Sequence, residues 1–210
     1  MKSRPAVIVL AAGTGSRFGA SGHKLTQRLG ASSVLGSTLR HAIASHLPVI
    51  VVTTEALADA ARHHVASRDV VVVPEVGTPG PHSLGMGYSI AAGVSARPQA
   101  SGWLVLPGDM PMIQPATLLA VAAALEHHPV TYAQHRGRRG HPVGFAAELY
   151  SELVTLSGDE GAKRLVARYP AHGVDVDDAG VLLDVDTEAD LEKLRLAHAT
   201  QPPYAAPVAR

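Results

Sequence analysis

The sequence predicts a three-layer α/β domain on a mostly parallel sheet with a small antiparallel part. Three observations predict it. Short β-branched runs alternate with longer amphipathic segments along the first 125 residues. Those runs are apolar throughout, as strands covered by helices on both faces are, rather than apolar at every second position. Beyond Val130 the pattern changes to two strands flanking a polar turn.

Residues 6–12 (AVIVLAA) give the first strand. Leu39, Ala42, Ile43 and Leu47 then recur at helix spacing. Residues 48–53 (PVIVVT) give the next strand, and Thr53 or Thr54 can cap a helix through 56–65. Two further strands are 69–74 (DVVVVP) and 103–107 (WLVLP), the latter beginning at Trp103, which is expected to pack in the core. Pro115 suits the first turn of a helix marked by Leu118, Leu119, Ala122 and Leu125. Residues 130–135 and 141–146 read as a strand pair, antiparallel, around the polar turn 136–140. A strand over 181–185 and a closing helix over 188–198 complete the set. The β-α alternation implies right-handed crossovers. No repeat or linker divides the chain, so residues 1–200 are expected to form one domain. The tail 201–210, with three prolines and few anchors, is expected to fray.

Composition narrows the function. The 18 basic and 18 acidic residues cancel without long runs of either sign, so nucleic acid and anionic membrane are poor default partners. The absence of cysteine excludes disulfides, cysteine-ligated zinc and a thiol nucleophile. The N-terminal apolar run is too short for a signal peptide and no stretch is long enough to cross a membrane, so the chain reads as cytoplasmic. Among the 12 histidines, the adjacent pairs His63–His64 and His127–His128 cannot face one site from a helix, and solvent-facing roles are the better reading.

The first strand runs into a glycine-rich turn, Gly13, Thr14, Gly15, Ser16, Arg17, Phe18, Gly19. Successive backbone N–H groups in such a turn can cradle an anion, and glycine lets phosphate approach the main chain. Arg17 and Lys24 add two cations. The dinucleotide fingerprint does not fit, because the spacing is G-x-G-x-x-x-G; nor does the P-loop, because His23 separates Gly22 from Lys24 and Leu25 follows. The bland alternative is an ordinary strand-to-helix turn; the two cations favour phosphate.

Asp109 follows the strand 103–106 in a Gly-Asp-Met-Pro turn, at a strand C-terminus where open α/β sheets bind ligands. A lone carboxylate there suits magnesium, which takes one or two protein oxygens and completes its shell with phosphate and water. Asp184 and Asp186, two apart on a strand, would face the same way, unless one of them caps the helix near Glu188. Arg136, Arg138, Arg139 and His141 concentrate charge in a turn whose default reading is solvated. The loop Gly158, Asp159, Glu160, Gly161 opens a helix whose amides could hold an anion, or Asp159 caps it.

Six segments in order carry a family resemblance across nearly the whole chain. The stretches 10–13 (LAAG), 16–19 (SRFG) and 24–25 (KL) resemble the signature of the MobA-like nucleotidyltransferases, in particular the molybdenum-cofactor cytidylyltransferase branch. Residues 85–93 (GMGYSIAAG) resemble its second nucleotide loop, 107–111 (PGDMP) its metal-binding turn and 137–142 (GRRGHP) its acceptor segment. Residues 156–162 and 184–191 resemble its later blocks. Gly87 and Tyr88 depart from the small polar residues more usual there, and Glu188 stands where a proline is usual.

The resemblance implies a Rossmann-like nucleotidyltransferase fold and transfer of CMP from CTP, with magnesium, to molybdopterin cofactor with release of pyrophosphate. It implies nucleotide binding by Leu10, Ala11, Ala12, Gly13, Thr14, Gly15, Ser16, Arg17 and Lys24, with Gly85 and Ser89 on the base and ribose side. Gly85 and Gly87 would permit close approach of that ligand. Arg17, Lys24 and Asp109 would be catalytic, and Asp109 with Asp184 or Asp186 would hold the metal. Arg138, Arg139, His141 and Asp159 would bind the acceptor. A sugar or polyol phosphate as acceptor, or a nucleotide-binding accessory protein without turnover, are the alternatives. Implied partners are small molecules and a molybdoenzyme or its maturation factor, with the chain a monomer or weak oligomer.

Overall fold

The computed structural model describes residues 3–15, 18, 22–75 and 84–200, with side chains to 196. Ser16, Arg17 and Gly19 of the glycine turn, and the tail 201–210, lie outside the described residues.

The chain opens with β1 (Ala6–Ala11), passes a two-stranded hairpin of β2 (Arg28–Leu29) and β3 (Ser32–Ser33), and enters α1 (Val34–Ala44). Next come β4 (Val49–Thr53), α2 (Glu55–Arg62) and β5 (Val70–Val72), then α3 (Met86–Ser95), β6 (Gly102–Pro107) and α4 (Pro115–Ala124). The second half comprises β7 (Val130–His135), β8 (Arg138–Ala146), the short helices α5 (Tyr150–Leu153) and α6 (Lys163–Arg168), β9 (Ala171–Asp175) and α7 (Glu188–Thr200). One seven-stranded sheet has the order β5-β4-β1-β6-β8-β7-β9. Every neighbouring pair is parallel except those made by β8, which runs antiparallel to both β6 and β7. The three-layer, mostly parallel architecture read from the sequence is therefore the one observed.

Both faces of the central strands are covered, which is why they are apolar throughout. Val7 and Val9 face a core shared with Leu35 and Leu39 of α1, Leu118 and Val121 of α4, and Leu191 and Leu194 of α7. The intervening Ile8 faces Ile90 and Val94 of α3, with Trp103, Phe145 and Leu153. Trp103 is fully buried and its Nε1 donates to the Arg97 carbonyl at 3.0 Å. Each large side chain buried in this way contributes about 1.5–3 kcal/mol. α3 lies close to the sheet because Gly93 carries no side chain: a Cβ there would stand 2.3 Å from Ile8 Cγ2 and 2.9 Å from Val52 Cγ2. Both neighbours are β-branched and locked in the core, so Gly93→Ala is expected to cost about 1–3 kcal/mol. Thermal unfolding should show a midpoint several degrees lower; an unchanged midpoint would mean that α3 can lift without penalty.

Two expectations are corrected. The turn before β8 is shorter than 136–140: His135 pairs with Arg138, and Arg136 and Gly137 alone form it, both at positive φ (51° and 73°). That is the two-residue loop whose twist matches its strands, and it places Arg138 and Arg139 on the strand. Residues 181–185 are not a strand. Asp178, buried, accepts from Gln114 N, Thr117 Oγ1 and Gly180 N, tying this segment to the start of α4. It forms a 3₁₀ turn, Ala179–Leu182, packed with Gly180 on the Met112 backbone, and continues through 183–186 without a sheet partner. β9 was not foreseen; its sequence AHGVD is mostly exposed on the sheet edge and carries no apolar run.

Candidate active site

Strand order reverses at β1: the chain builds β4 and β5 on one side, then returns to place β6 on the other. The crevice beyond the C-terminal ends of β1 and β6 is where such sheets bind ligands. Gly108 holds these ends together, its N–H donating to Leu10 O at 2.8 Å. A Cβ on Gly108 would lie 2.9 Å from Leu10 O, and buried Thr38 of α1 donates to Gly108 O at 3.0 Å. Asp109 is thereby presented at the crevice. Its own carbonyl accepts from Val185 N at 3.0 Å, which lays the 183–186 segment alongside. Val185 is fully buried, and its neighbours Asp184 and Asp186 border the opening instead. Thr187 and Asp190 cap α7 reciprocally, Asp190 Oδ2 accepting from Thr187 N and Thr187 Oγ1 from Asp190 N.

A cleft of about 510 Å³ results. Leu10, Ala11, Ala12, Gly13, Thr14 and Gly15 line one wall, and Lys24, Asp109, Asp184 and Asp186 the floor. Ser89, Asp159 and His141 complete it among the residues the sequence singled out. Gly85, Arg138 and Arg139 do not line it. Gly85 and Gly87 serve the protein's own chain: a Cβ at Gly85 would meet the Gly158 carbonyl carbon at 2.0 Å, and one at Gly87 the Ser157 carbonyl oxygen at 2.7 Å. Gly87 N donates to Gly158 O at 3.0 Å, so these glycines seat the loop that carries Asp159. Arg138 and Arg139 are exposed on β8, with the Arg139 guanidinium 4.4 Å from the Tyr132 ring centroid. Asp159 does not cap α6, whose N-cap is Ala162 without a side-chain bond. Cleft residues that sequence reasoning missed include Met86, Leu25 and Pro107, which carry no polar group to mark them.

The floor is an ion triad. Lys24 Nζ donates to Asp109 Oδ2 at 2.5 Å and to Asp186 Oδ1 at 2.9 Å. The Lys24 and Asp109 side chains are only 17% and 15% exposed, and that of Asp186 35%. Burial alone would lower the lysine's pKa; the charges and hydrogen bonds of Asp109, then of Asp186, outweigh it and hold Lys24 above the ordinary lysine value. It is therefore charged throughout the neutral range, and its charge is lost as pH rises through that elevated value. Burial pushes His141 down, against the opposing pull of Asp109 and Asp184 and with the help of Arg139, so the ring is neutral at pH 7.

Four carboxylates (Asp109, Asp159, Asp184, Asp186) against one ammonium (Lys24) leave the described lining with a formal excess of three negative charges. No set of three or more carboxylate or imidazole groups converges to hold a metal among the described residues. The donor set fits a hard divalent cation that takes one or two carboxylates and fills its shell from phosphate and water. Ser89 Oγ, buried at the cleft, has no hydrogen-bond partner among the described residues, and a ligand polar group there would remove that penalty.

Glycine loop, strand-end carboxylates and a cleft at the switch point define an α/β nucleotide-binding domain. The chain belongs to the MobA-like NTP transferase family, whose domain matches residues 7–174. The bifunctional protein GlmU of Cereibacter sphaeroides is 31% identical over 191 residues, 87% of this chain and 40% of GlmU. The chain thus spans about two fifths of that relative's length. Rv0371c from Mycobacterium tuberculosis H37Rv superposes with a TM-score of 0.79 at 30% identity, covering 93% of this chain and 99% of that one. The same protein solved as a complex with manganese gives 0.74 at 28% identity, over 93% and 100% of the chains. No helix among the described residues is long and apolar enough to cross a membrane.

Proposed function

We propose that this chain is a nucleotidyltransferase that transfers CMP from CTP to molybdopterin cofactor and releases pyrophosphate. The observation that carries the reading is the Lys24–Asp109–Asp186 triad facing the glycine loop across one cleft. The acceptor phosphate attacks the α-phosphorus while the bond to the pyrophosphate oxygen breaks. Such chemistry depends on positioning and charge neutralisation more than on proton transfer. The Thr14 and Gly15 amides, with Lys24 and with Arg17 from the same loop, would hold the phosphates. Asp109 and Asp186 would hold a magnesium ion, which when bound supplies charge neutralisation on the leaving pyrophosphate. His141, neutral, offers an N–H to the acceptor phosphate, and Asp159 a hydroxyl partner on the opposite wall. The product would pass to a molybdoenzyme or its maturation factor. The family membership and the manganese-bound relative support divalent-metal use.

A second acceptor class, a sugar or polyol phosphate, is favoured by one observation. Arg138 and Arg139, implied acceptor ligands, lie outside the cleft lining.

Base choice is assigned to Ala12, which lines the cleft just beyond the end of β1 and whose methyl group would narrow the space beside the base. A pyrimidine tolerates it and a two-ring purine contests it, a discrimination of roughly 10–200-fold. In competition between CTP and GTP with molybdopterin cofactor as acceptor, CTP should win by that margin, and Ala12→Gly should narrow it. Equal use of the two by the unaltered protein would sink the cytidylyl assignment. Turnover with sugar phosphates but not with the cofactor would decide for the second acceptor class.

A further inference from the structure

We propose that His23 is a positioning residue that fixes the phosphate-binding loop to the element bearing Lys24. The inference rests on the nucleotidyltransferase reading above and adds a residue to it. In the sequence His23 only interrupts a would-be P-loop. In the structure its ring bridges the start of the glycine loop and the turn that bears Lys24. Nε2 lies 3.0 Å from Gly13 O, ten residues back, and Nδ1 lies 3.2 Å from Leu25 N. A carbonyl can only accept and an amide can only donate, so the ring is held as a single tautomer, with its proton on Nε2 and the Nδ1 lone pair turned to the amide.

Each bond has its own consequence. The Nδ1 bond caps the 3₁₀ turn Lys24–Thr26, which sets the backbone from which the Lys24 side chain reaches Asp109 and Asp186. The Nε2 bond fastens Gly13, at the exposed lip of the cleft, to that same turn. The ring also lies beneath Gly15, which sits at φ 63°: a Cβ on Gly15 would be 3.5 Å from Nε2. The backbone at Gly13 and Gly15 and the ammonium of Lys24 are thus referred to one imidazole. Without it, holding Gly13 and Gly15 against the Lys24 turn would fall to the incoming triphosphate, and that cost would appear as lost affinity. Because both ring nitrogens are engaged by the main chain, His23 acts through the loop and not on the reacting atoms.

Two variants separate the two bonds. Asparagine is a good N-cap and can keep the acceptor for Leu25 N, but it is too short to reach Gly13 O. Alanine loses both. The measurements are the KM and kcat for the nucleoside triphosphate, affinity for the monophosphate, and the thermal midpoint. His23→Asn should keep the midpoint close to that of the unaltered protein. It should still raise the triphosphate KM about 3- to 10-fold, the range expected for one lost hydrogen bond, with kcat little changed and monophosphate affinity less affected. His23→Ala should show the same KM effect with a lower midpoint. A His23→Asn protein with the original KM would overturn the proposal, because the cap alone would then account for the residue. Equal loss of triphosphate and monophosphate affinity would also overturn it. If the unaltered protein binds no nucleoside triphosphate, the nucleotidyltransferase reading fails first and this inference with it.

Discussion

Replacing Asp109 with asparagine is expected to lower turnover by roughly a hundredfold to a few thousandfold, the loss of several kcal/mol of charge stabilisation at a metal-assisted step. The fold should survive. Asparagine has the same shape as aspartate, its side-chain oxygen can still accept from Lys24, and the contacts that fix this turn are made by the main chain: Gly108 N to Leu10 O and Val185 N to Asp109 O. What is lost is one negative charge where the metal would sit. Asp109 is mostly buried and paired with a lysine, so the thermal midpoint should move by a few degrees. Magnesium-dependent turnover near that of the unaltered protein would remove Asp109 from the mechanism.

Lys24→Ala is expected to weaken triphosphate binding far more than monophosphate binding. Two effects act in the same direction. The variant loses a charge-assisted hydrogen-bond donor, worth about 1.5–3 kcal/mol or roughly 10- to 100-fold in affinity. It also raises the formal excess of negative charge on the described cleft lining from three to four, and that repulsion grows with the charge of the ligand. Isothermal titration with CTP and CMP separates the two ligands directly; equal losses would place this lysine outside the phosphate path. The same variant should take up manganese(II) more readily without nucleotide, since Asp109 and Asp186 would no longer hold an ammonium.

How legible was all this in the chain? The central strands were, because burial on both faces leaves only apolar residues to choose from, as in Val49–Thr53 and Gly102–Pro107. The edges were not. β9 is mostly exposed and needs no apolar pattern, and the turn at Arg136 uses a positive φ that its residue type does not advertise. Residues 181–185 read as a strand because four of the five are apolar, and the only alternation is local to 184–186. That alternation serves the Val185 anchor and the two flanking aspartates, while Asp178, 64 residues from Gln114, decides the backbone course. The cleft itself was legible where function demands a charged or glycine residue near a strand end, as at Gly13, Lys24 and Asp109. Long-range close approach was not legible. Nothing local says that Gly85 and Gly87 seat the 157–159 backbone, or that Arg138 and Arg139 fall outside the cleft lining. His23 was overlooked for the same reason, since its partners are main-chain atoms that no motif records.

The central claim is that this cleft binds a nucleoside triphosphate together with a divalent cation. Thermal unfolding of the unaltered protein with CTP, GTP, ATP and UTP, each with and without magnesium, tests it most directly. At saturating ligand the linkage term is about 3–4 kcal/mol, so CTP with magnesium should raise the midpoint by several degrees. CTP alone should do far less, because a triphosphate must then enter an acidic lining without its counter-ion. A midpoint that no nucleotide moves, or that CTP raises equally without magnesium, would contradict the account.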